Sequence, residues 1–378
     1  MPWGSYNARV PREQSDSLSA RPGARLQQAI AQAMQQAGGW LPFDRFMALA
    51  LYAPGLGYYA RDDRQFGELP SSGSDFVTGP EMTPLFGAAL ARQVAQALQA
   101  TGTDEVFEFG AGSGALAEQL LDALGDGVRG YRIVELSAAL AARQRQRLAR
   151  FGERVQWLSE LPPTLRGVIV GNEVLDAMPV QLLHFDGQCW RERGVCAEGT
   201  GWAWEDRPTT LHPPVDGPFL PGTVTEIHPQ AQAFVRTLAE RMPCGAALFL
   251  DYGFPEREYY HPQRHGGTLV CHRAHRVDAD PLGDVGEKDI TAHVDFTGIA
   301  LAAQEAGFEV AGYTSQARFL ANCGLLELAQ GADARTLAAV NRLLAEHEMG
   351  ELFKVIALLR GVQFEPLGFT AGDRTHTL

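Results

Sequence analysis

The run Glu108-Phe109-Gly110-Ala111-Gly112-Ser113-Gly114 sets a carboxylate and three alternate glycines directly after the apolar residues Val106 and Phe107. Glycines at this spacing let the chain turn tightly and approach a ligand without Cβ interference. The helix-forming segment Ala115–Leu124 follows, and its first N–H groups point back at the same place. Twenty-one residues past Gly114, the apolar run Tyr131-Arg132-Ile133-Val134 ends in Glu135, an acceptor for two ribose hydroxyls. A third group, Asn172, Glu173 and Asp176, closes another apolar run, Gly167–Gly171. Together these residues describe a nucleoside cofactor pocket at the carboxyl ends of parallel strands.

The spacing also narrows the cofactor. A dinucleotide fingerprint reads G-x-G-x-x-G and brings a helix end onto a pyrophosphate. Here the pattern is G-x-G-x-G, and Glu108 would repel a pyrophosphate. It suits a cofactor with a positive end, such as the sulfonium and amino group of S-adenosyl-L-methionine; a nicotinamide cofactor or a purely structural turn are the alternatives.

The elements that must position these residues follow from periodicity. Ala24–Ala37, Phe43–Leu51 and Pro84–Ala100 have helical spacing, separated by the loop-like stretch Tyr52–Pro80. From Glu105 onward strands alternate with helices, the rhythm of a doubly wound α/β sheet. The expected strands are Glu105–Phe109, Tyr131–Glu135, Val155–Leu158, Gly167–Gly171, Ala246–Asp251, Phe308–Thr314 and Phe353–Arg360, with helices over Gln230–Met242, Gln316–Ala329 and Ala334–His347. Val180–Asp206 reads as a β-meander turning at Asp186-Gly187, with Trp190, Trp202 and Trp204 expected on one sheet face. A second insertion spans Gly253–Thr291. The division expected is an N-terminal arm over 1–20, a helical cap and lid loop over 21–100, and a catalytic domain over 101–378 with insertions at about 180–240 and 253–295.

Composition excludes some partners. A net charge of −13 opposes broad binding to nucleic acid or anionic lipid, although Ala141–Arg150 carries four arginines, read as a solvated helix face. Five scattered cysteines fit free thiols in a reducing compartment. Without an apolar run of membrane-spanning length or an apolar leader at Met1–Ala20, the expected location is cytoplasmic. His261, His265, Cys271, His272 and His275 lie close in sequence but lack paired-cysteine zinc spacing, so no metal is expected. No nucleophile elbow supports Ser-His-Asp hydrolysis.

Several multi-residue blocks carry a resemblance. E-x-G-x-G-x-G resembles the first motif of the seven-strand methyltransferases. Beyond it stand Asp75-Phe76-Val77-Thr78-Gly79-Pro80-Glu81, the run Gly171–Val180, Leu250-Asp251-Tyr252-Gly253, and Lys288–Phe296. The chain resembles the MidA-like methyltransferases, the family of the mitochondrial complex I assembly factor and its bacterial relatives, from Leu51 to Val355. The resemblance implies a seven-strand Rossmann-like class I methyltransferase fold with an N-terminal helical cap and a β-rich insertion. It implies S-adenosyl-L-methionine as donor and, for the mitochondrial member, symmetric dimethylation of an arginine on a complex I subunit. Two departures stand out: Gly79 replaces a serine, and Gly-Ala-Gly-Ser-Gly replaces Gly-Pro-Gly-Arg-Gly, with the glycines kept.

On this reading Gly110, Gly112 and Gly114 line the methionine part, Glu108 faces its cationic end, and Glu135 holds the ribose. Leu158 and Ser159 flank adenine by analogy, and Thr78 and Glu81 bring the lid onto the cofactor; either could instead cap the following helix. Asn172 and Glu173 lie beside the methyl, unless Asn172 only bonds backbone. Glu173 and Asp176 orient a guanidinium through paired hydrogen bonds; for Asp176 the alternative is capping a helix after the strand. His275 and His293 would bond Asp289 or Asp295 and order the insertion. The expected activity is methylation of a protein arginine, with a respiratory-complex subunit as partner and no nucleic acid. The rivals are a small-molecule or RNA methyltransferase and a non-catalytic, cofactor-binding assembly protein.

Overall fold

The computed structural model describes residues 22–61, 78–273 and 276–378. The expected arm over 1–20, most of the lid loop, Asp75 and His275 lie outside them.

Strand runs rich in Val, Ile, Leu and Phe build a mixed α/β core around one large sheet. Its strand order is Glu309–Ser315, Phe353–Arg360, Cys244–Phe254, Arg166–Asn172, Glu105–Phe109, Gly130–Val134, Val155–Leu158. Phe353–Arg360 runs antiparallel to both neighbours; the other pairings along this path are parallel. Val294–Asp295 adds a short parallel pairing at the end of Cys244–Phe254. Alternate side chains enter two cores, as strands buried on both faces require. Val106, Val168, Leu248 and Val355 meet helices Pro84–Thr101 and Ala115–Leu124. Phe107, Ile169, Phe249 and Ile356 meet Pro229–Arg241 and Phe296–Glu305.

The chain leaves strand Glu105–Phe109 toward one side of the sheet and strand Arg166–Asn172 toward the other, although the two are neighbours. That is the switch point, where an α/β sheet opens a crevice beyond its carboxyl ends.

A second sheet combines the first insertion with the N-terminus. Gln181–Phe185, Trp190–Glu198, Gly201–Pro208 and Val224–Ile227 are joined by Trp40–Pro42, which pairs antiparallel with Cys196 to Gly194. Helix Phe43–Tyr52 lays Phe43 against Trp204 and Phe46 against Trp202. Trp190 does not share this face. The register sets Trp204 across from Val195, and the odd offset from Trp190 turns it over, onto Phe185 and Phe219. A third, small sheet, Arg276–Asp278, Val270–Arg273 and Asp289–Thr291, forms in the second insertion. The expected helix Gln316–Ala329 is broken into Gln316–Asn322 and Leu325–Leu328 at Gly324, where φ is +80°. The arginine-rich helix, Ala138–Arg147, turns Arg147 onto Glu118, while Arg150 just beyond it pairs with Glu118 and Asp122.

Candidate active site

At the switch point, Gly110, Gly112 and Gly114 adopt φ of +64°, +52° and +81°, all left-handed. Only glycine takes this region without strain. A Cβ on Gly110 would come within 2.9 Å of Val174 Cγ2, so close packing also demands glycine there. A Cβ on Gly112 would meet nothing within 4 Å, because that residue faces open space. Gly114 leads into helix Ala115–Leu124, its N–H donating to Ala111 O at 2.7 Å.

The glycine turn and Glu135 are joined by one side chain. Gln144 is fully buried, and its Nε2 donates to Gly112 O at 2.9 Å and to Glu135 Oε2 at 3.0 Å. Its Oε1 accepts from Trp157 Nε1 at 2.9 Å, so both N–H donors bridge turn and carboxylate while the oxygen anchors the side chain. Glu135 Oε1 accepts from Ser137 N–H at 2.8 Å, and the residue's own N–H donates to Leu158 O at 3.0 Å. Each carboxylate oxygen keeps a lone pair for a hydroxyl.

Glu108 lies beneath the turn, buried, and accepts from Tyr131 Oη at 2.7 Å. Burial pushes its carboxyl up to about 8; the Tyr131 bond opposes that and the charge of Glu135 adds to it. A buried acid without a cation beside it is expensive to ionise. A cationic ligand group would relieve this cost, which is how the site fits S-adenosyl-L-methionine.

Across the crevice stands a wall of acids. Asn172 closes its strand and donates through Nδ2 to Glu173 Oε1 at 2.9 Å. Glu173 holds φ at +55°, a left-handed conformation that is strained for a side-chain-bearing residue. Burial lifts its carboxyl to about 8, with the charge of Asp176 adding and the Asn172 bond opposing. Asp176 accepts from Tyr252 Oη at 2.5 Å, while its Oδ1 is buried with no hydrogen-bond partner among the described residues. The turn that carries these acids is held from the neighbouring strand: Asp251 Oδ2 accepts from the N–H groups of Val174, Leu175 and Asp176 at 3.0, 2.8 and 3.3 Å.

The acids and the glycine turn line one cavity of about 680 Å³. Thr78, Glu81, Glu108, Gly110, Gly112, Asn172, Glu173 and Asp176 are all on its wall. Gly114, Glu135, Leu158 and Ser159 are not among the lining residues, and Ser159 is exposed. The wall also includes Tyr59, Tyr252, His272, Asp289, Thr291 and His293, brought by the N-terminal segment, the sheet and the second insertion. Tyr59 Oη donates to Asp289 Oδ1 at 2.7 Å, tying two of those parts together.

Three local expectations come out differently. Asp176 caps no helix, because the chain after Asn172 forms a turn and Asp251 receives its amides. Neither Thr78 nor Glu81 caps helix Pro84–Thr101; Thr83 does, accepting from Leu85 N–H at 3.3 Å. Glu81 instead accepts from Ser113 Oγ, with Arg147 Nη1 at 3.4 Å, so it ties the segment before helix Pro84–Thr101 to the glycine turn. Asp295 does not order the insertion through His293; it caps helix Phe296–Glu305, accepting from Gly298 N–H at 3.1 Å. Gln144 escaped detection because a buried amide in an arginine-rich helix leaves no pattern in sequence. Tyr252, Asp289 and His293 were inside noticed motifs, but only tertiary contacts show that they face one cavity. Among the described residues no cluster of three or more metal-ligating side chains occurs.

Comparison with known proteins agrees with the fold and the cofactor. Residues 89–314 match the model of a family described as S-adenosyl-L-methionine-dependent methyltransferases. The crystal structure of a Burkholderia thailandensis protein bound to S-adenosyl-homocysteine superposes with a TM-score of 0.90 at 46% identity, covering 98% of this chain and 100% of that one. The chain is 26% identical to "Protein arginine methyltransferase NDUFAF7 homolog, mitochondrial" of Caenorhabditis elegans over 87% of each protein. It is 27% identical to the Homo sapiens "Protein arginine methyltransferase NDUFAF7, mitochondrial", covering 83% of this chain and 79% of that protein. The mitochondrial names overturn the cytoplasmic expectation. Free thiols mark a reducing compartment and do not single out the cytoplasm.

Proposed function

The chain belongs to the S-adenosyl-L-methionine-dependent methyltransferase family, and from that premise we propose that its acceptor is an arginine side chain of a protein. The observation that carries this reading is the acid wall opposite the glycine turn: Glu173 and Asp176 line the same cavity, with one oxygen of Asp176 unpaired among the described residues. A planar guanidinium supplies paired N–H donors that match carboxylates, and its charge removes the cost of ionising them. The protein names of the curated relatives support the same acceptor.

When bound, S-adenosyl-L-methionine supplies an electrophilic methyl on a sulfonium. Glu108, Gly110 and Gly112 face its methionine part, Gly114 shapes the turn, and Glu135 takes the ribose. Leu158 and Ser159 border the adenine end, and Thr78 and Glu81 close over the site. Asn172 fixes Glu173; Glu173 and Asp176 hold the guanidinium with one Nη toward the methyl. Alignment and a matched field supply most of the rate. The finer architecture we propose is the seven-strand class I arrangement. Residues 21–100 act as cap and lid, 101–378 as the catalytic domain, and the insertions at about 180–240 and 253–295 as walls of the target cleft. A respiratory-complex subunit is the partner that the family resemblance favours.

The test is transfer of labelled methyl from S-adenosyl-L-methionine to an extract of cells lacking this chain. The extract is then split into protein, RNA and solvent fractions, and the protein is hydrolysed. The expected label is methylarginine in protein, reduced on the order of 10²-fold or more by Glu173→Gln, as loss of a buried charge partner entails. Label in RNA, in small molecules or in another amino acid overturns the reading.

A further inference from the structure

The acid wall holds an arginine but leaves one requirement unmet. Methylation of a guanidinium releases a proton, and the carboxylates that clamp the cation must stay ionised to hold it. A separate base in the same cavity would leave that clamp charged throughout.

His293 lines that cavity next to Tyr252, the residue whose hydroxyl donates to Asp176. Its ring packs edge-on against Tyr252 and Phe254, centroids 5.2 Å away in both cases, at 82° and 65°. Its backbone N–H donates to Thr268 Oγ1 at 3.1 Å, which fixes the residue at the end of the small insertion sheet. The side chain makes no hydrogen bond among the described residues, and Nδ1 is buried without a partner. The ring packs against its aromatic neighbours, but that packing leaves its hydrogen-bonding capacity unused. Such groups are usually paired, and an unpaired one in a cleft points to a ligand.

We propose that His293 is the proton acceptor of the methyl transfer, a role that rests on the arginine reading above. An Nη lone pair forms the new N–C bond while the methyl–sulfur bond breaks and its electron pair leaves with sulfur. The methylated nitrogen, now tetrahedral on an otherwise cationic group, is strongly acidic and gives its N–H proton to the imidazole lone pair. The imidazolium then returns that proton to water. The surroundings suit this cycle. Burial, then Arg264 and Lys354, push the imidazole down to about 4, so at physiological pH it is neutral but a weak base, sufficient because the methylated dication is a far stronger acid. His228, itself pushed down to about 3, and Tyr252 also face it, and both are neutral there. The two nearby cations also speed the return of the proton.

The experiment uses the full chain, labelled S-adenosyl-L-methionine and the same protein extract at varied concentration, with label counted in methylarginine. His293→Gln and His293→Ala should lower the maximal rate about 10²–10⁴-fold, the range for a lost proton-transfer group. Calorimetric affinity for S-adenosyl-homocysteine should stay within twofold of wild type. The residual rate should rise with pH, and free imidazole should restore His293→Ala in proportion to its neutral fraction. A full rate in His293→Gln overturns the proposal. So does a loss that imidazole does not rescue and that disappears at saturating extract, which would mark a positioning role. If wild type labels no arginine, the functional reading fails first; if wild type and both variants label arginine equally, only the assignment of His293 fails.

Discussion

Glu173 shows how much the site costs at a single residue. Its left-handed φ of +55° and its raised carboxyl both work against folding. Strain and buried acidity at one position are features that function retains against stability. Glu173→Gly relieves both: thermal or denaturant unfolding should show a gain of about 1 kcal/mol, the difference between glycine and other residues in this conformation. Methyl transfer should be lost in the same protein. A loss of stability would mean that the Asn172–Glu173 bond outweighs the strain.

The next scale is the elements, and there the glycine turn, the Ala138–Arg147 helix and the turn after Asn172 act as one unit. Gln144 fixes the spacing between the first two, and Asp251 fixes the third from the adjacent strand. Gly110 is where turn and acid wall touch, since Val174 leaves no room for a Cβ. Gly110→Ala should therefore cost about 1–3 kcal/mol of stability by the strain of the left-handed region and the clash. It should also weaken S-adenosyl-homocysteine binding in calorimetry; unchanged affinity would place the ligand elsewhere. Much of this was legible in the chain. The strand ends at Phe109 and Arg360 and the glycine turn could be read because apolar runs stop at glycines, and the positions of Glu173 and Asp176 because they follow such a run. What escaped was set by contacts remote in sequence. Trp40–Pro42 becomes a strand only because Trp190–Glu198 offers an edge, Trp190 changes face through register, and the capping of the acid turn by Asp251 joins residues 75 to 77 apart. No local pattern encodes such pairings.

For the whole molecule, buried acids link stability and ligand binding to pH. Glu108 and Glu173 are each raised from 4.5 to about 8 in the folded protein. The folded state thus keeps protons that the unfolded chain releases. Their contribution is complete below about pH 4.5 and is lost as pH rises through 8. His228 and His293, pushed down to about 3 and 4, act oppositely, but only below the ordinary histidine value of 6.5. Between pH 7 and 8.5 the acids dominate. The melting temperature of the ligand-free protein should fall over that range, and fall less in Glu108→Gln. At pH 7 a cationic ligand should drive a proton off Glu108. Calorimetry of S-adenosyl-L-methionine in two buffers of different ionisation enthalpy should show proton release in wild type and less in Glu108→Gln. A flat melting curve and equal release would place the charge of Glu108 outside the ligand's reach.

The central claim is that Gln144 holds the turn at Gly112 and the carboxylate of Glu135 at the span of one sulfur nucleoside. A crystal structure of this protein with S-adenosyl-homocysteine tests it most directly. The account predicts both ribose hydroxyls on Glu135, the amino group toward Glu108 and the sulfur facing Glu173 across the cavity. A nucleoside seated away from Glu135, or a homocysteine end that does not enter the space beside Gly112, would contradict it.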